Sequence, residues 1–388
     1  MKICDVTQFY SPLSGGVKRY VHEKAAYIDR YAAEHELVLI VPGAQTNVRS
    51  VGRTRIYSLH SPLISRRSHY RALLNLRAID EIIARERPDV IESSDPYQVA
   101  WKAIRAGRVL GIPVIGFYHS HFPEAYVRAA TKRFGERISR AALSFSKRYV
   151  RDLYNQFVVT IVASEGLANV LREWGVKNVR VVQLGVDTDI FCRRTEGRAV
   201  ARASLGVATD QKLLLYVGRL SKEKNAALLF DTFELLHRRS PGDFHLIVIG
   251  DGSARARLTE AQKRTGGEIT WIQYCAESSE LAQYYRAADL LVHPGVQETF
   301  GLVALESQAC GTPVVGIRGS RMDAVILHDQ NSWAGENTPE ALADAIETMS
   351  ARDLPILGRA AARLANERHT WRQVFAQLFC IYREVCAE

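Results

Sequence analysis

Short apolar segments alternate with longer amphipathic stretches along almost the whole chain. The apolar segments predict strands at residues 2–9, 37–42, 54–59, 90–94, 113–119, 158–164, 212–218, 245–252, 269–275, 289–293 and 314–317. Apolar residues at helical spacing predict helices at 17–31, 69–86, 98–110, 123–154 and 279–288. This alternation predicts an α/β fold, in which a parallel sheet carries helices on both faces and ligands bind beyond the carboxyl ends of the strands.

One segment interrupts the alternation near the middle of the chain. It runs from Val182 to Phe191, VQLGVDTDIF, where a glycine and two aspartates punctuate the sequence before a charged stretch and a new strand. A chain of 388 residues has enough material for two ordinary domains. We therefore predict a first domain over 1–188, a second over 189–370 and a terminal helix over 371–388.

The composition is that of a globular protein in a reducing compartment. The chain is 47% hydrophobic and 24% charged, and its first residues lead directly into strand-like sequence, so we expect no signal peptide. No apolar run has the length needed to span a bilayer. The six cysteines are scattered, with no Cys-x-x-Cys pair, which favours free thiols. We expect a cytoplasmic protein.

The net charge of +9 is distributed unevenly. Up to Ile190 the chain carries 28 basic and 18 acidic residues, whereas the remainder carries 23 and 24. An excess of this kind suits nucleic acid, an anionic membrane or an acidic acceptor. Since the sequence contains no nucleic-acid motif and no interleaving of aromatic and basic residues of the binding type, we do not expect nucleic acid as a partner.

The basic excess is concentrated in the predicted helical stretch 123–154. Apolar residues are interspersed there with Arg128, Lys132, Arg133, Arg137, Arg140, Lys147, Arg148 and Arg151. The pattern is typical of an ordinary amphipathic surface helix pair. It also fits a surface that docks onto anionic lipid and presents an acceptor site to the membrane. Both interpretations remain open from the sequence.

Two loops that follow strands carry groups suited to an anion. The loop YSPLSGG, with Gly15 and Gly16, lies between a strand and a helix, an arrangement that presents backbone N–H groups, although it is not the Gly-x-Gly-x-x-Gly fingerprint. After strand 212–218, Arg219 and Lys224 can converge on one anion. For the first loop, a flexible turn is the alternative. The second loop, taken alone, is more often a solvated loop than an anion site.

Polar residues also follow two predicted strands of the first domain. Asp95 comes after VIESS, and Tyr118, His119 and His121 come after PVIGF. A histidine at a strand end is more often structural than catalytic, but this end is where ligands bind in α/β sheets. The His-x-His pair could contact a metal, yet no third ligand is evident. We expect no metal.

The segment from Val292 to Gly316, VHPGVQETFGLVALESQACGTPVVG, contains two carboxylates near a helix start. Glu298 stands just ahead of the predicted helix and Glu306 follows eight residues later, a little over two turns on. Free N–H groups at a helix start suit phosphate, and carboxylates suit sugar or ribose hydroxyls. A simple capping and dipole effect is the alternative for either glutamate alone.

This segment resembles the donor-site signature of the family-4 retaining glycosyltransferases. The resemblance rests on Glu-x7-Glu, with Phe300-Gly301-Leu302 inside it and Ala309-Cys310-Gly311-x-Pro313 after it. It runs from about residue 1 to the C-terminus. It implies the GT-B fold, two Rossmann-like domains facing across a cleft, with the terminal helix crossing back to the first domain. The sequence departs from the family at 318–323, RGSRMD, where many relatives have Gly-Gly-x-x-Glu.

The resemblance also implies roles for individual residues. His119 would lie beside the donor sugar and Glu298 would hold its hydroxyls, as the catalytic pair. Donor phosphates and ribose would be bound by Gly15, Gly16, Arg219, Lys224, Phe300, Gly301, Leu302 and Glu306. The acceptor would contact Lys18, Asp95, Tyr118 and His121.

The resulting expectation is a retaining hexosyltransferase that needs no metal or other cofactor. It would move a hexose from a nucleotide diphosphate sugar, GDP-mannose or UDP-hexose, to a hydroxyl of a sugar, glycolipid or cell-envelope glycan, at the inner face of the cell membrane. One alternative is a GT-B sugar-nucleotide epimerase, which consumes donor without acceptor. Another is a non-enzymatic α/β protein that binds anions or nucleic acid.

Overall fold

The chain forms two compact units in a computed structural model. The structure describes residues 1–8, 10, 16–64, 70–119, 135–194, 196–296, 298–320, 322 and 325–387. The first unit comprises Met1–Leu184 together with Trp371–Glu388, and the second comprises Gly185–Thr370. The predicted division after residue 188 therefore falls within the opening segment of the second unit. The terminal segment from Trp371 belongs to the first unit.

The first unit is built on an eight-stranded sheet with the order β3-β4-β2-β1-β5-β6-β7-β8. Its strands are β1 (Lys2–Val6), β2 (Glu36–Gly43), β3 (Asn47–Val51), β4 (Thr54–His60), β5 (Val90–Ser93), β6 (Val114–Phe117), β7 (Val159–Val162) and β8 (Val179–Val181). Only the pairing of β3 with β4 is antiparallel among these. The helices are α1 (Gly16–Tyr31), α2 (Leu76–Glu86), α3 (Gln98–Leu110), α4 (Glu136–Tyr154) and α5 (Glu165–Glu173), followed at the end of the chain by α13 (Trp371–Ala387).

The central strands of this sheet are buried on both faces, as parallel strands between two helical layers must be. In β1, Ile3 and Val6 have no exposed surface, and neither does Asp5. Helix α13 packs on α1 through aromatic rings, with the ring centroids of Phe375 and Phe379 5.5 and 5.3 Å from that of Tyr27. The last helix is therefore an integral layer of the first unit.

The second unit contains a five-stranded, wholly parallel sheet with the order β11-β10-β9-β12-β13. Its strands are β9 (Lys212–Val217), β10 (Phe244–Ile249), β11 (Ile269–Ile272), β12 (Leu290–His293) and β13 (Val314–Gly316). Its helices are α6 (Arg198–Ser204), α7 (Ala226–Arg239), α8 (Arg255–Arg264), α9 (Ser278–Ala287), α10 (Leu302–Ala309), α11 (Pro339–Ser350) and α12 (Leu354–Arg368). Each crossover carries a helix back over the sheet, as parallel pairing requires.

Several predicted elements differ from the observed ones. The helix expected over 69–86 begins at Leu76, where the side chain of Asn75 caps it. Of the helical stretch expected over 123–154, the described part forms α4 from Glu136, and the preceding residues lie outside the described ranges. Among the described residues, no helix combines the length and the hydrophobicity needed to cross a membrane.

Candidate active site

The loops after β9 and β10 meet at the carboxyl end of the second sheet. A Cβ atom on Gly250 would lie 1.9 Å from the carbonyl oxygen of Gly218, so only glycine permits this approach. The side-chain hydroxyl of Tyr216 also donates to the carbonyl oxygen of Arg219. These contacts fix the backbone from which Arg219 and Lys224 project.

Lys224 and Glu298 form an ion pair at this end of the sheet. The Nζ atom of Lys224 lies 2.5 Å from Oε1 of Glu298, and Nε2 of His293 lies 3.2 Å from the same oxygen. Burial would raise the pKa of the Glu298 carboxyl, but Lys224 and His293 hold it well below its usual range. Glu298 is therefore a fixed anion. The ion pair therefore joins Lys224, which we expect to bind phosphate, directly to Glu298, which we expect to bind the sugar.

Arg219 forms a second ion pair in the same loop, with Glu223 four residues later. Its guanidinium is more than half exposed. Both cations predicted to bind phosphate thus face carboxylates of the protein. A diphosphate that binds here has to compete with Glu223 for Arg219 and with Glu298 for Lys224.

Helix α10 begins at Leu302, three residues later than the sequence predicts, directly after Phe300 and Gly301. The Phe300 side chain is buried in the core, so this residue can offer a ligand only its backbone. Backbone N–H groups of a first helical turn have no partner within the helix and suit an anion. The start of α10 and Glu298 lie on the same connection from β12.

Glu306 lies on the buried face of α10. It is 3% exposed, and its Oε2 accepts a hydrogen bond of 3.1 Å from the hydroxyl of Tyr285 on α9. The carboxylate that the resemblance assigns to ribose is thus enclosed and oriented by the protein.

In the first unit, His119 follows β6 and is held between two aromatic rings. Its ring stacks on Phe117 with a centroid distance of 3.8 Å and an interplanar angle of 3°, and Tyr20 packs edge-on at 5.1 Å. Burial of the imidazole, reinforced by the charge of Lys24, lowers the pKa of His119 to about 3. His119 is therefore a neutral imidazole throughout the physiological range.

A charged network lies directly beneath this histidine, and we did not predict it. Lys24 of α1 contacts Asp5 of β1 and Glu92 of β5 at 2.9 Å each, and none of the three side chains is exposed. Burial works against the charged form of Lys24, but the two carboxylates raise the pKa of its ammonium. The hydroxyls of Tyr20 and Tyr382 both donate to Glu92, and Tyr382 also contacts Lys24 at 3.1 Å. The network joins α13 to the centre of the sheet.

Sequence signals existed for both residues that the prediction missed. Lys24 falls on the buried stripe of α1 at helical spacing with Tyr20 and Ile28, where a lysine needs an anionic partner. His293 is the last residue of β12, five residues ahead of Glu298. Neither position matched a motif.

Of the residues predicted to bind acceptor, Tyr118 and Asp95 are buried and Lys18 is half-buried. Tyr118 is 1% exposed and packs edge-on against Tyr154, so its side chain belongs to the core and has no surface for an acceptor. Asp95 is also fully buried, and its carboxylate accepts a hydrogen bond from the backbone N–H of Gln8. Burial raises the pKa of Asp95 to about 6. Lys18 is half-buried near the start of α1.

Two further predicted residues, Gly15 and His121, lie outside the described ranges, whereas Gly16 is the first residue of α1. Within the described ranges, no three side chains of His, Cys, Asp or Glu come together as metal ligands.

Comparisons with known proteins agree with this architecture. The model of Glycosyltransferase Family 4 matches residues 14–190, and that of Glycosyl transferases group 1 matches residues 198–366. The chain is 34% identical over 383 residues to the GDP-mannose-dependent alpha-(1-6)-phosphatidylinositol dimannoside mannosyltransferase of Mycobacterium tuberculosis, covering 97% of this chain and 95% of the relative.

One further relative matches a smaller part of the chain, and one solved structure shares the fold alone. The D-inositol 3-phosphate glycosyltransferase of Xylanimonas cellulosilytica is 33% identical over 243 residues, which cover 58% of this chain and 56% of that protein. The sucrose-phosphate synthase structure from Thermosynechococcus elongatus matches with a TM-score of 0.79 at 21% identity, covering 100% and 99% of the two chains. The two family models cover successive parts of the chain, and the mycobacterial relative matches almost all of it. The chain therefore belongs to the family-4 glycosyltransferases of the GT-B fold, enzymes that use nucleotide-sugar donors.

Proposed function

We propose that this enzyme transfers mannose, with retention of configuration, from GDP-mannose to a hydroxyl of a membrane glycolipid built on phosphorylated inositol. The observation that carries the proposal is the 34% identity with a GDP-mannose-dependent phosphatidylinositol dimannoside mannosyltransferase over almost the full length of both chains. The second relative is also named for a phosphorylated inositol acceptor. The two names share the acceptor chemistry.

In the proposed reaction, one bond breaks and one forms at C1 of mannose. The bond from C1 to the β-phosphate oxygen breaks, and its electron pair leaves with GDP. The acceptor oxygen attacks C1 from the same face, and its proton passes to the departing diphosphate. The products are the mannosylated acceptor and GDP. Since negative charge develops on the diphosphate, preorganised cations and N–H donors would stabilise the transition state most.

The second unit supplies groups suited to these tasks. We assign Arg219, Lys224 and the first turn of α10 to the diphosphate, and Glu298 to hydroxyls of the mannose. The ion pair of 2.5 Å between Lys224 and Glu298 supports this assignment, because it holds the carboxylate ionised beside a phosphate-binding cation. From the resemblance we assign Glu306 to the ribose and His119 to the donor sugar.

We infer that the enzyme works without a metal ion. Arg219 and Lys224 can neutralise a diphosphate directly, a task for which other transferases use a divalent cation. The aspartates Asp187 and Asp189 have the spacing of a metal-binding pair, but Asp187 accepts a hydrogen bond from the backbone N–H of Asp189 in the opening segment of the second unit.

We further propose that helix α4 holds the enzyme against the inner face of an anionic membrane. Ile138 and Phe145 are seven residues apart, hence on one helical face, and they are 54% and 74% exposed. Exposed arginines accompany them at Arg137, Arg140 and Arg148. Each basic residue near an anionic leaflet contributes about 1 kcal/mol, and exposed apolar side chains add to the attachment.

A donor and acceptor panel tests the proposal. Thermal shifts with GDP, UDP, ADP and their sugars should show the largest stabilisation with GDP-mannose, since a ligand at 100 times its Kd adds about 2.7 kcal/mol. Mass spectrometry should then detect a hexose added to phosphatidylinositol mannosides. Transfer to soluble inositol phosphate alone would favour the activity of the second relative. Consumption of donor without any acceptor would favour an epimerase.

A further inference from the structure

A second basic pocket lies at the opposite end of the second sheet from Glu298. It encloses about 400 Å³ beside the residues that precede or begin β9, β12 and β13, namely Lys212, Asp289 and Pro313. Because all strands of this sheet are parallel, these positions form its amino end. Six cationic side chains line the pocket: Arg193, Arg194, Arg198, Lys212, Arg286 and Arg352.

The carboxylates near the pocket already form ion pairs with arginines. Asp289, the one acidic residue of its lining, binds both Arg198 and Arg202 at 2.6 and 2.8 Å. Arg352 is paired with Asp329, at 2.6 Å. The pocket therefore carries more positive charges than Asp289 and Asp329 can neutralise.

The guanidinium of Arg286 donates to backbone carbonyl oxygens of Ile190 and Cys192, which carry no net charge. For Arg193, Arg194 and Lys212, the described part of the chain provides no carboxylate within ion-pair distance. All three are exposed at the pocket. Among the described residues, four positively charged side chains thus line one cavity without an ion-paired carboxylate, and an anionic ligand would relieve their repulsion.

The general basicity of the protein does not account for this cluster. The second unit, residues 185–370, carries 21 basic and 24 acidic residues, so it is close to neutral with a slight acidic excess. A near-neutral unit that gathers six cations around one cavity has a local field suited to an anion.

The residues that follow the Glu-x7-Glu segment also contribute to the pocket. Cys310, Gly311, Thr312 and Pro313 form part of the lining. Gly311 has a φ of 85°, and a Cβ atom there would come within 3.0 Å of Cγ and Cδ of Arg193. The aliphatic part of Arg193 thus packs against the glycine backbone.

We propose that this pocket binds a small polyanion carrying phosphate groups, separately from the donor. Arginine forks match phosphate oxygens in pairs, and a volume of about 400 Å³ lies in the range of small-molecule sites. The same phosphate chemistry could be presented by a soluble phosphorylated metabolite or by a lipid headgroup. The proposal does not depend on the identity of the donor sugar.

Calorimetric titration with inorganic pyrophosphate tests the site. The wild-type enzyme should bind pyrophosphate at two sites, and saturating GDP should block only one of them. The double variant Arg193→Ala/Arg194→Ala should bind at the second site at least tenfold more weakly and still bind GDP. Arg219→Ala should show the reverse pattern, and Lys222→Ala, an exposed lysine elsewhere in the unit, should match the wild type.

A parallel flotation assay with vesicles containing phosphatidic acid identifies the source of the phosphate, with every variant made in the Arg137→Glu/Arg140→Glu background so that attachment through α4 does not mask the pocket. Loss of vesicle binding in Arg193→Ala/Arg194→Ala, but not in Lys222→Ala, would support a lipid headgroup at this pocket. Loss of pyrophosphate binding alone would support a soluble ligand. If the double variant and the single variant Lys212→Gln bind pyrophosphate and vesicles like the wild type, the pocket is not an anion site.

Discussion

The ammonium of Lys224 lies 2.5 Å from Oε1 of Glu298, although the two residues are 74 positions apart in the chain. The contact joins the loop after β9 to the connection that leads into α10. His293 reaches the same oxygen at 3.2 Å. With the roles proposed above, this ion pair would couple binding of the diphosphate to binding of the donor sugar, and a change in either residue should affect both.

The first prediction concerns this pair. Lys224→Ala should weaken GDP binding more than tenfold, because loss of a hydrogen bond to a charged group typically costs about 1.5–3 kcal/mol. Calorimetric titration with GDP measures the change, with Lys222→Ala as a matched control from the same loop. Glu298→Gln should retain GDP binding better than Lys224→Ala but lose turnover. GDP affinity that is unchanged in Lys224→Ala would exclude Lys224 from the phosphate site.

The sequence indicated the anions and cations of the site but not how they pair. Arg219, Lys224 and Glu298 follow strands in a pattern that matches the family, so each could be named without a structure. The pairing of Lys224 with Glu298 could not be predicted, because the two residues lie 74 positions apart, and His293 looks like any residue at a strand end. Pairing depends on which loops come together in space, and a single sequence does not encode this in any local pattern.

The same limit applies to the fold. Strands with long apolar runs, such as β2 and β10, were predicted within one residue at their starts. Strand β3, NVRSV, was missed because all five of its residues are exposed. It is the edge strand of the sheet and pairs with a single neighbour, β4. Lys24 was missed because its burial depends on Asp5 and Glu92, which come from two different strands.

The second prediction concerns the attachment of the last helix. Tyr382→Phe removes the hydroxyl that donates to Glu92 and contacts Lys24 inside the first unit. We expect a loss of about 1.5–3 kcal/mol in the free energy of unfolding, the usual range for hydrogen bonds to charged groups. Urea denaturation measures this loss, and hydrogen exchange should accelerate in α13. Tyr31→Phe, at an exposed tyrosine, should leave both quantities unchanged. Wild-type values for Tyr382→Phe would show that the network does not anchor the helix.

The third prediction concerns pH and the buried carboxyl of Asp95. Its pKa is about 6 in the folded protein against 3.8 for the free side chain, so the folded state holds the proton more tightly. Asp95 therefore lowers the stability of the folded protein as pH rises from about 4 to 6, by about 3 kcal/mol in all. Asp95→Asn cannot titrate, so its stability relative to wild type should increase over this interval and level off above about pH 7.

Thermal and urea unfolding at pH 5 and pH 8 check this difference. Asp152→Asn, on the exposed face of α4, serves as the control for removal of a surface carboxylate. A difference between Asp95→Asn and wild type that stays constant with pH would mean that Asp95 titrates normally.

The fourth prediction concerns helix α4 and membranes. The wild-type enzyme should sediment with anionic vesicles at low ionic strength and be released by salt, since the attraction is screened beyond about 10 Å at 0.1 M. Arg137→Glu/Arg140→Glu should reduce sedimentation without unfolding the protein, and Phe145→Ser should reduce the salt-resistant part. Arg359→Glu/Arg363→Glu, two exposed positions of α12 in the second unit, is a charge-matched control. A wild-type protein that stays in the supernatant at low salt would leave α4 as an ordinary solvated helix.

The most direct test of the central claim follows the anomeric carbon itself. The enzyme is incubated with GDP-mannose labelled with ¹³C at C1 and a phosphatidylinositol mannoside in detergent, with and without EDTA, and the product is examined by NMR. We predict that the label moves to the acceptor in an α linkage, at the same rate in both samples, and that GDP-mannose persists when acceptor is omitted. A β-linked product, transfer abolished by EDTA and restored by manganese, or conversion of the donor without acceptor would contradict the account.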